Sequence, residues 1–293
     1  MNCKLLTYSL MAVALTFAAC SDDEYTVNLG DETQQQPRTP ARPLVADMES
    51  VTVPGTEVSF NMVKVRAGTF TMGGVDADAP EHQVTLTRDF YIAQTEVTQA
   101  LYRAVMDTSV SEFNYGDNYP VDHVSYNDAM DFCFKLRELT GYHFTLPTEA
   151  QWEYAARGGH RASPSATAYA GSDNIGSVGW YWNNSPQYQT ENPVTHEPML
   201  IRHTSEVRGK QPNELNIYDM TGNVREWCAD WYSPLGTAAV TDPEGLSSAG
   251  YGRVYRGGSC NDSAQYCRVA HREGLSSSSK SYNIGFRVVI TMD

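Results

Sequence analysis

In RGGSCNDSAQYC, Arg256 to Cys267, two cysteines seven positions apart follow a glycine turn. Thiols so placed serve either redox or copper chemistry or a structural hairpin. Thiolates are soft ligands that suit Cu(I), whereas carboxylates are hard ligands that suit calcium or magnesium. Cys260 and Cys267 are therefore the candidate catalytic pair for any oxidation chemistry. His271 follows Cys267 by four residues, the spacing at which a helix would set a base beside a thiol nucleophile, but no orienting third residue or oxyanion loop accompanies it. A second stretch, DMTGNVRE, offers carboxylates from Asp219 and Glu226 and main-chain carbonyls from Gly222 and Val224. Calcium takes about six to eight oxygen ligands of this mixed kind, so these four are the candidate metal site. The alternative is a Glu226 that pairs with a nearby arginine.

Regular elements must hold these residues, and two helices are legible around them. In SYNDAMDFCFKLRELTG, Ala129, Phe132, Cys133, Leu136 and Leu139 recur at helical spacing, with Ser125 as N-cap and Gly141 as the stop. In LPTEAQWEYAARGG, Thr148 and Gln151 form a capping box, Glu149 favours the positive helix start, and Trp152 with Ala155 or Ala156 faces inward. A shorter helix is expected from Thr98 to Met106, with Leu101 and Val105 as its stripe, and short strands at Gln83–Leu86, Phe90–Ile92, Val254–Arg256 and Phe286–Ile290. Between Gly159 and Asn213 no period is sustained, and Trp180, Tyr181 and Trp182 read as plugs beneath long loops.

The chain has 293 residues, 41% hydrophobic and 19% charged, enough for a buried core. Thirty-five acidic residues against 21 basic ones give a net charge of -14, which repels phosphate backbones and argues against a nucleic-acid partner. At the start, MNCKLLTYSLMAVALTFAAC carries an apolar run too short to span a bilayer, the mark of an export signal over residues 1–19. LTFAAC resembles a bacterial lipobox, which implies lipidation of Cys20, and the following SDDE resembles a tag for the outer face of the outer membrane. Residues 20–56, polar and proline-bearing, read as a flexible tether, and 57–293 as one domain. Four cysteines then remain in the domain, Cys133, Cys228, Cys260 and Cys267, with three ways of forming two bridges.

Seven segments, AGTFTMGG, EHQVTLTRDFYIAQTEVTQALYRAVM, YPVDHVSYNDAMDFC, FTLPTEAQWEYAARGG, PNELNIYDMTGNVREWCADWY, RGGSCNDSAQYCRVAHR and IGFRVV, together resemble the formylglycine-generating enzyme, or sulfatase-modifying factor, family. The resemblance implies an α+β fold related to C-type lectins, with few regular elements and long irregular loops. In the copper-dependent members two cysteines hold Cu(I) and support oxidation of a substrate cysteine to formylglycine. The second of these falls on Cys267, with Tyr266 matching before it, but the first falls on Asp262. Copper is therefore not expected. Cys260, two residues earlier, faces the same side of an extended segment but sits about two strand rises of roughly 3.3 Å away. The resemblance also matches Asp219, Gly222, Val224 and Glu226 to a calcium site, implies a Cys228–Cys267 disulfide, and leaves Cys133 a buried free thiol, since its usual partner falls on Val288. The expected protein is an outer-membrane surface lipoprotein lacking copper oxidase activity and holding a peptide or glycan in a cleft near Ser259, Asp262 and Tyr266. The alternative is an active protein-modifying oxidase using Cys267 with Cys260.

Overall fold

A computed structural model describes residues 42–292 apart from 75–78, 164, 192, 193, 195 and 246–249. The export signal, Cys20 and the tether up to residue 41 lie outside the described residues. In chain order, strands β1 (Met48–Thr52), β2 (Ser59–Val65), β3 (Gly68–Met72), β4 (His82–Leu86) and β5 (Phe90–Ala93) precede helices α1 (Gln99–Met106) and α2 (Tyr126–Thr140). Then come β6 (Phe144–Thr145), α3 (Glu149–Ala156), α4 (Ile175–Val178), β7 (Gln187–Glu191) and β8 (Pro198–Arg202). The last part holds β9 (Arg225–Trp231), β10 (Val240–Thr241), β11 (Arg253–Arg256), β12 (Arg272–Leu275), β13 (Ile284–Gly285) and β14 (Val289–Thr291). They form a five-stranded sheet ordered β1-β2-β5-β14-β6, a three-stranded one β10-β4-β3, a four-stranded one β12-β11-β9-β13, and the hairpin β7-β8.

The two-residue alternation of strands puts neighbouring side chains into two different apolar clusters. Met62, Tyr91 and Ile290 enter one cluster, while Val63, Ile92 and Val289 enter the other. The four-stranded sheet is split likewise, with Trp227 and Tyr255 on the first side and Cys228 and Val254 on the second. The buried face of α2, Ala129, Phe132, Cys133 and Leu136, joins the first cluster, and Trp152, Ala155 and Ala156 of α3 join the second. Both helices start as their sequences require: Ser125 with Asp128, and Thr148 with Gln151, make reciprocal capping boxes. Thr98 caps α1, and Gly141 closes α2 in the left-handed region at φ 78°. Cys133 is buried as expected, but Leu139 is 39% exposed on the outer side of α2.

Two boundaries differ from the reading of the sequence. The domain does not begin at residue 57, because β1 pairs antiparallel with β2 from Met48↔Val63 to Thr52↔Ser59 and buries Val51, while Leu44 and Val53 are also in the core. β1 is an edge strand in which exposed Met48, Ser50 and Thr52 alternate with buried Glu49 and Val51; with a charged residue inside and a methionine outside it shows no apolar alternation, which is why it reads as tether. Of the strand expected at Phe286–Ile290 only Val289 and Ile290 fall in β14; Phe286, Arg287 and Val288 lie between β13 and β14, all fully buried.

Candidate functional site

The loop between β11 and β12 carries Ser259, Cys260, Asp262, Tyr266, Cys267 and His271. Both of its ends are clamped to the start of α3. Arg256 Nη1 donates to Glu149 Oε1 at 2.6 Å, and Arg272 donates through Nε and Nη2 to the two Glu149 oxygens at 2.7 Å each. Burial pushes the Glu149 carboxyl up, but Arg256 and Arg272 outweigh it and hold the group below its usual range. The Glu149 main-chain N–H donates to Asp230 Oδ2 at 2.7 Å, and Asp230 is pushed up to about 7 by burial and by the Glu149 charge. Gly258, second in the loop, sits at φ 68°, where an added Cβ would lie 2.6 Å from Cys267 Sγ. A side chain there would displace the thiol.

Within the loop, Asp262 is held by a guanidinium. Arg225, the first residue of β9, donates Nε to Asp262 Oδ2 at 2.8 Å and Nη2 to Oδ1 at 2.6 Å. Ser259 Oγ donates to Asp262 Oδ2 at 2.7 Å, and Asn283 Nδ2 donates to Ser259 Oγ at 3.1 Å. A two-pronged arginine–carboxylate bond is among the strongest polar contacts a protein makes. Ser259 is fully buried, Asp262 is nearly so, and Tyr266 is 39% exposed. The three expected binding residues are thus brought together, but Ser259 and Asp262 are spent on each other and on Arg225. Only Tyr266 faces outward.

The setting of the two thiols does not favour copper. Cys260 and Cys267 are both fully buried. Burial pushes the Cys267 thiol up to about 12, with the Asp262 charge adding to it, and burial raises Cys260 as well. Cu(I) needs thiolates, and here it would meet an arginine beside the position of the first sulfur; the residues present do not fit the ion. Neither does His271 serve Cys267: its Nε2 faces Glu273 Oε1 at 3.2 Å, and the Tyr266 ring stands edge-on over it.

The expected Cys228–Cys267 disulfide is not formed. All four cysteines, Cys133, Cys228, Cys260 and Cys267, are free and buried. Cys228 packs in the core under α3, whereas Cys267 closes a 3₁₀ turn (Ala264–Cys267) against Tyr169, Ile175 and Val178 in a separate small cluster.

Of the four residues expected to hold calcium, Glu226 is engaged by an arginine. Arg287 donates Nε to Glu226 Oε2 and Nη2 to Oε1, each at 2.6 Å, and Trp152 Nε1 donates to the same Oε2 at 2.7 Å. Both oxygens of Glu226 are therefore taken, which is the arginine pairing weighed above. Gly222 sits at φ 75° with room for no side chain, since a Cβ would lie 1.9 Å from Trp180 O, and Val224 N donates to Glu96 Oε1 at 3.0 Å; among the described residues no protein donor is bonded to the carbonyl of either. Asp219 Oδ2 accepts from Arg208 N at 2.7 Å, leaving Oδ1 buried without a partner. Burial, aided by the Glu226 charge, pushes Asp219 up to about 6, and burial with Asp219 and Glu226 raises Glu96 well above its usual range. Arg287 is the cation packed against this acidic group. Among the described residues no cluster of three or more His, Cys, Asp or Glu is arranged to hold a metal ion.

Three residues that organise the site escaped the sequence reading: Arg225, Arg287 and Glu96. A lone arginine inside the apolar run IGFRVVI is a signal for a buried ion pair, because an unpaired guanidinium there would be too costly to bury. Of the three aromatics expected to plug the loops, Tyr181 packs against the small cluster and Trp180 lies under Lys210 Nζ at 4.0 Å, but Trp182 is 40% exposed beneath the Arg202 guanidinium.

Comparison with known proteins agrees with the fold. The family described as sulfatase-modifying factor enzyme 1-like domain matches residues 49–292. A protein named chaperone protein LppX, from Paenibacillus barcinonensis, is 30% identical over 285 residues, covering 84% of this chain and 95% of its own length. The formylglycine-generating enzyme of Streptomyces coelicolor is 40% identical over 177 residues, 58% of this chain; the chain spans about half of that relative, 52% of its length. Among solved structures, Treponema denticola variable protein 1 superposes with a TM-score of 0.73 at 28% identity, covering 85% of this chain and all of that one.

Proposed function

The chain belongs to the sulfatase-modifying factor enzyme 1-like family, and from that premise we propose that it is a lipid-anchored polypeptide-binding module in which a closed ion pair has replaced copper chemistry. One observation carries this reading: the Arg225 fork closes on Asp262, where a copper-dependent relative would present sulfur. A fixed positive charge at that point repels a cation, and the carboxylate beside it is the wrong kind of donor for Cu(I). A polypeptide partner is supported by the relative that matches most of both chains and carries the name of a chaperone. Residues 1–19, Cys20 and the SDDE stretch support export, lipidation and the outer-membrane surface.

Copper competition tests the site directly. Purified protein should surrender Cu(I) to a chromogenic chelator, whereas the double variant Asp262→Cys, Arg225→Gln, which removes the guanidinium and offers a second sulfur, should retain about one equivalent. Wild-type protein that keeps one equivalent, and loses it on Cys267→Ser, would restore the oxidase alternative. For the anchor, Cys20→Ala should move the full-length protein from the detergent phase to the aqueous phase on phase partitioning.

A further inference from the structure

Six aromatic rings lie together outside all three apolar clusters. Phe113 and Tyr115, Tyr119, Tyr188, His203 and Tyr282 come from three separate segments, and their contacting pairs have centroids 4.4 to 6.4 Å apart. All are half-buried except Tyr115, which is 44% exposed. Among the described residues none of the four tyrosine hydroxyls has a hydrogen-bond partner in the protein. Buried tyrosines usually find one, so a tyrosine group with wet, unpaired hydroxyls is suited to a surface that meets a partner.

Tyr188 belongs to the hairpin β7-β8, whose two strands pair, among the described residues, with each other alone. His203 N donates to Pro186 O at 3.0 Å, which continues the ladder by one pair beyond Gln187↔Arg202. Antiparallel ladders alternate hydrogen-bonded and non-hydrogen-bonded pairs, so 188:201 and 190:199 are the bonded ones. The main-chain groups of Gln187, Gln189 and Glu191, and of Pro198, Leu200 and Arg202, therefore point outward. Among the described residues no main-chain bond reaches any of them. Natural edges are blunted by bulges or by lysine or proline within the strand, and neither strand has one; the single proline opens β8.

From this juxtaposition of an unpaired hairpin edge and an aromatic strip we propose that the hairpin takes up an extended polypeptide segment as an added strand, with alternate apolar side chains of that segment lying on the rings. The free main-chain groups favour a polypeptide over a glycan, since only a strand matches their spacing. Charge selects further. Glu112, Asp117 and Glu191 are exposed near the strip; Arg103 holds Asp117 and His196 faces Glu191, so it is mainly the net charge of -14 that favours a segment alternating aromatic or apolar with basic residues. The proposal rests on the polypeptide-binding reading above and names the surface for it.

Fluorescence anisotropy with a labelled, end-capped alternating Lys-Tyr peptide of about ten residues tests it, against a Glu-Tyr peptide and a Lys-Tyr peptide N-methylated at alternate positions. We expect the Lys-Tyr peptide to bind, and N-methylation, which leaves its charge intact, to weaken it by about tenfold or more. Gln189→Pro removes an outward N–H of β7 and Leu200→Pro one of β8; one of them should cost a similar factor while thermal unfolding stays unchanged, because proline is tolerated at outward positions of edge strands. Tyr115→Ala should weaken binding as well. If the peptide binds but neither N-methylation nor either proline matters, polypeptide binding stands and this surface is refuted. If no Lys-Tyr peptide binds at all, or if only a neutral oligosaccharide such as cellohexaose binds in a Tyr115-dependent way, both readings fall.

Discussion

Replacing Arg287 by methionine should destabilise the domain more than any surface change. Arg287 and Glu226 are both fully buried, joined by two hydrogen bonds of 2.6 Å, and Arg287 also donates to Ala93 O at 3.1 Å and Tyr218 O at 3.0 Å. In Arg287→Met the Glu226 carboxylate would keep only the Trp152 indole N–H, and its charge acts on Glu96 and Asp219, both of which it raises. Removing one partner of a buried pair costs about 3–5 kcal/mol, because the remaining charge has neither water nor a counter-ion. For a domain of about 250 residues each kcal/mol moves the melting temperature by about 2–4 °C, so the midpoint should fall by roughly 6–20 °C. Urea or thermal unfolding followed by circular dichroism reads it. The double variant Glu226→Gln, Arg287→Met should regain part of the loss, since it removes the stranded charge. A loss below about 1 kcal/mol in Arg287→Met would refute Arg287–Glu226 as a buried ion pair on which the fold depends.

Further outcomes follow from the same contacts. Gly222→Ala forces a Cβ to within 1.9 Å of Trp180 O at a positive φ and should cost about 2–4 kcal/mol, or prevent folding, as read by urea denaturation. Asp230 keeps its proton in the folded state up to about pH 7, whereas unfolded chains release it near pH 4. Its contribution is therefore present below about pH 4 and lost as pH rises towards 7, so Asp230→Asn should be more stable than wild type at pH 8 and indistinguishable from it near pH 4. A thiol reagent should find no fast-reacting cysteine in the native domain produced without the export signal and Cys20, and four after denaturation; two after denaturation would mean a bridge had formed. Saturating chelator should leave the melting temperature unchanged.

Much of the scaffold is legible from local chemistry. Ser125, Thr148 and Thr98 announce helix starts because side-chain capping is decided within three residues, and the apolar period of α2 is decided by its own turns. The hairpin of Gln187–Arg202 is not legible, since its strands bury only alternate residues by half and its partners are aromatic rings far away in the chain. Loss of a soft ligand at Asp262 can be read from one residue, whereas the arginine that seals it comes from β9, 37 positions away. The disulfide is not formed because neighbouring segments need not turn their side chains towards one another: Cys228 and Cys267 belong to different clusters. The partner of Glu226 is equally hidden in the sequence, since Arg287 lies 61 positions away.

The most direct measurement is to supply purified protein with Cu(I), air and a reductant, together with a sulfatase-type peptide bearing one cysteine, and to follow the peptide by mass spectrometry and aldehyde trapping. With Arg225 seated on Asp262 the cysteine should emerge without any trappable aldehyde. Turnover of the peptide to an aldehyde, abolished by Cys267→Ser, would contradict the replacement of copper chemistry by an ion pair.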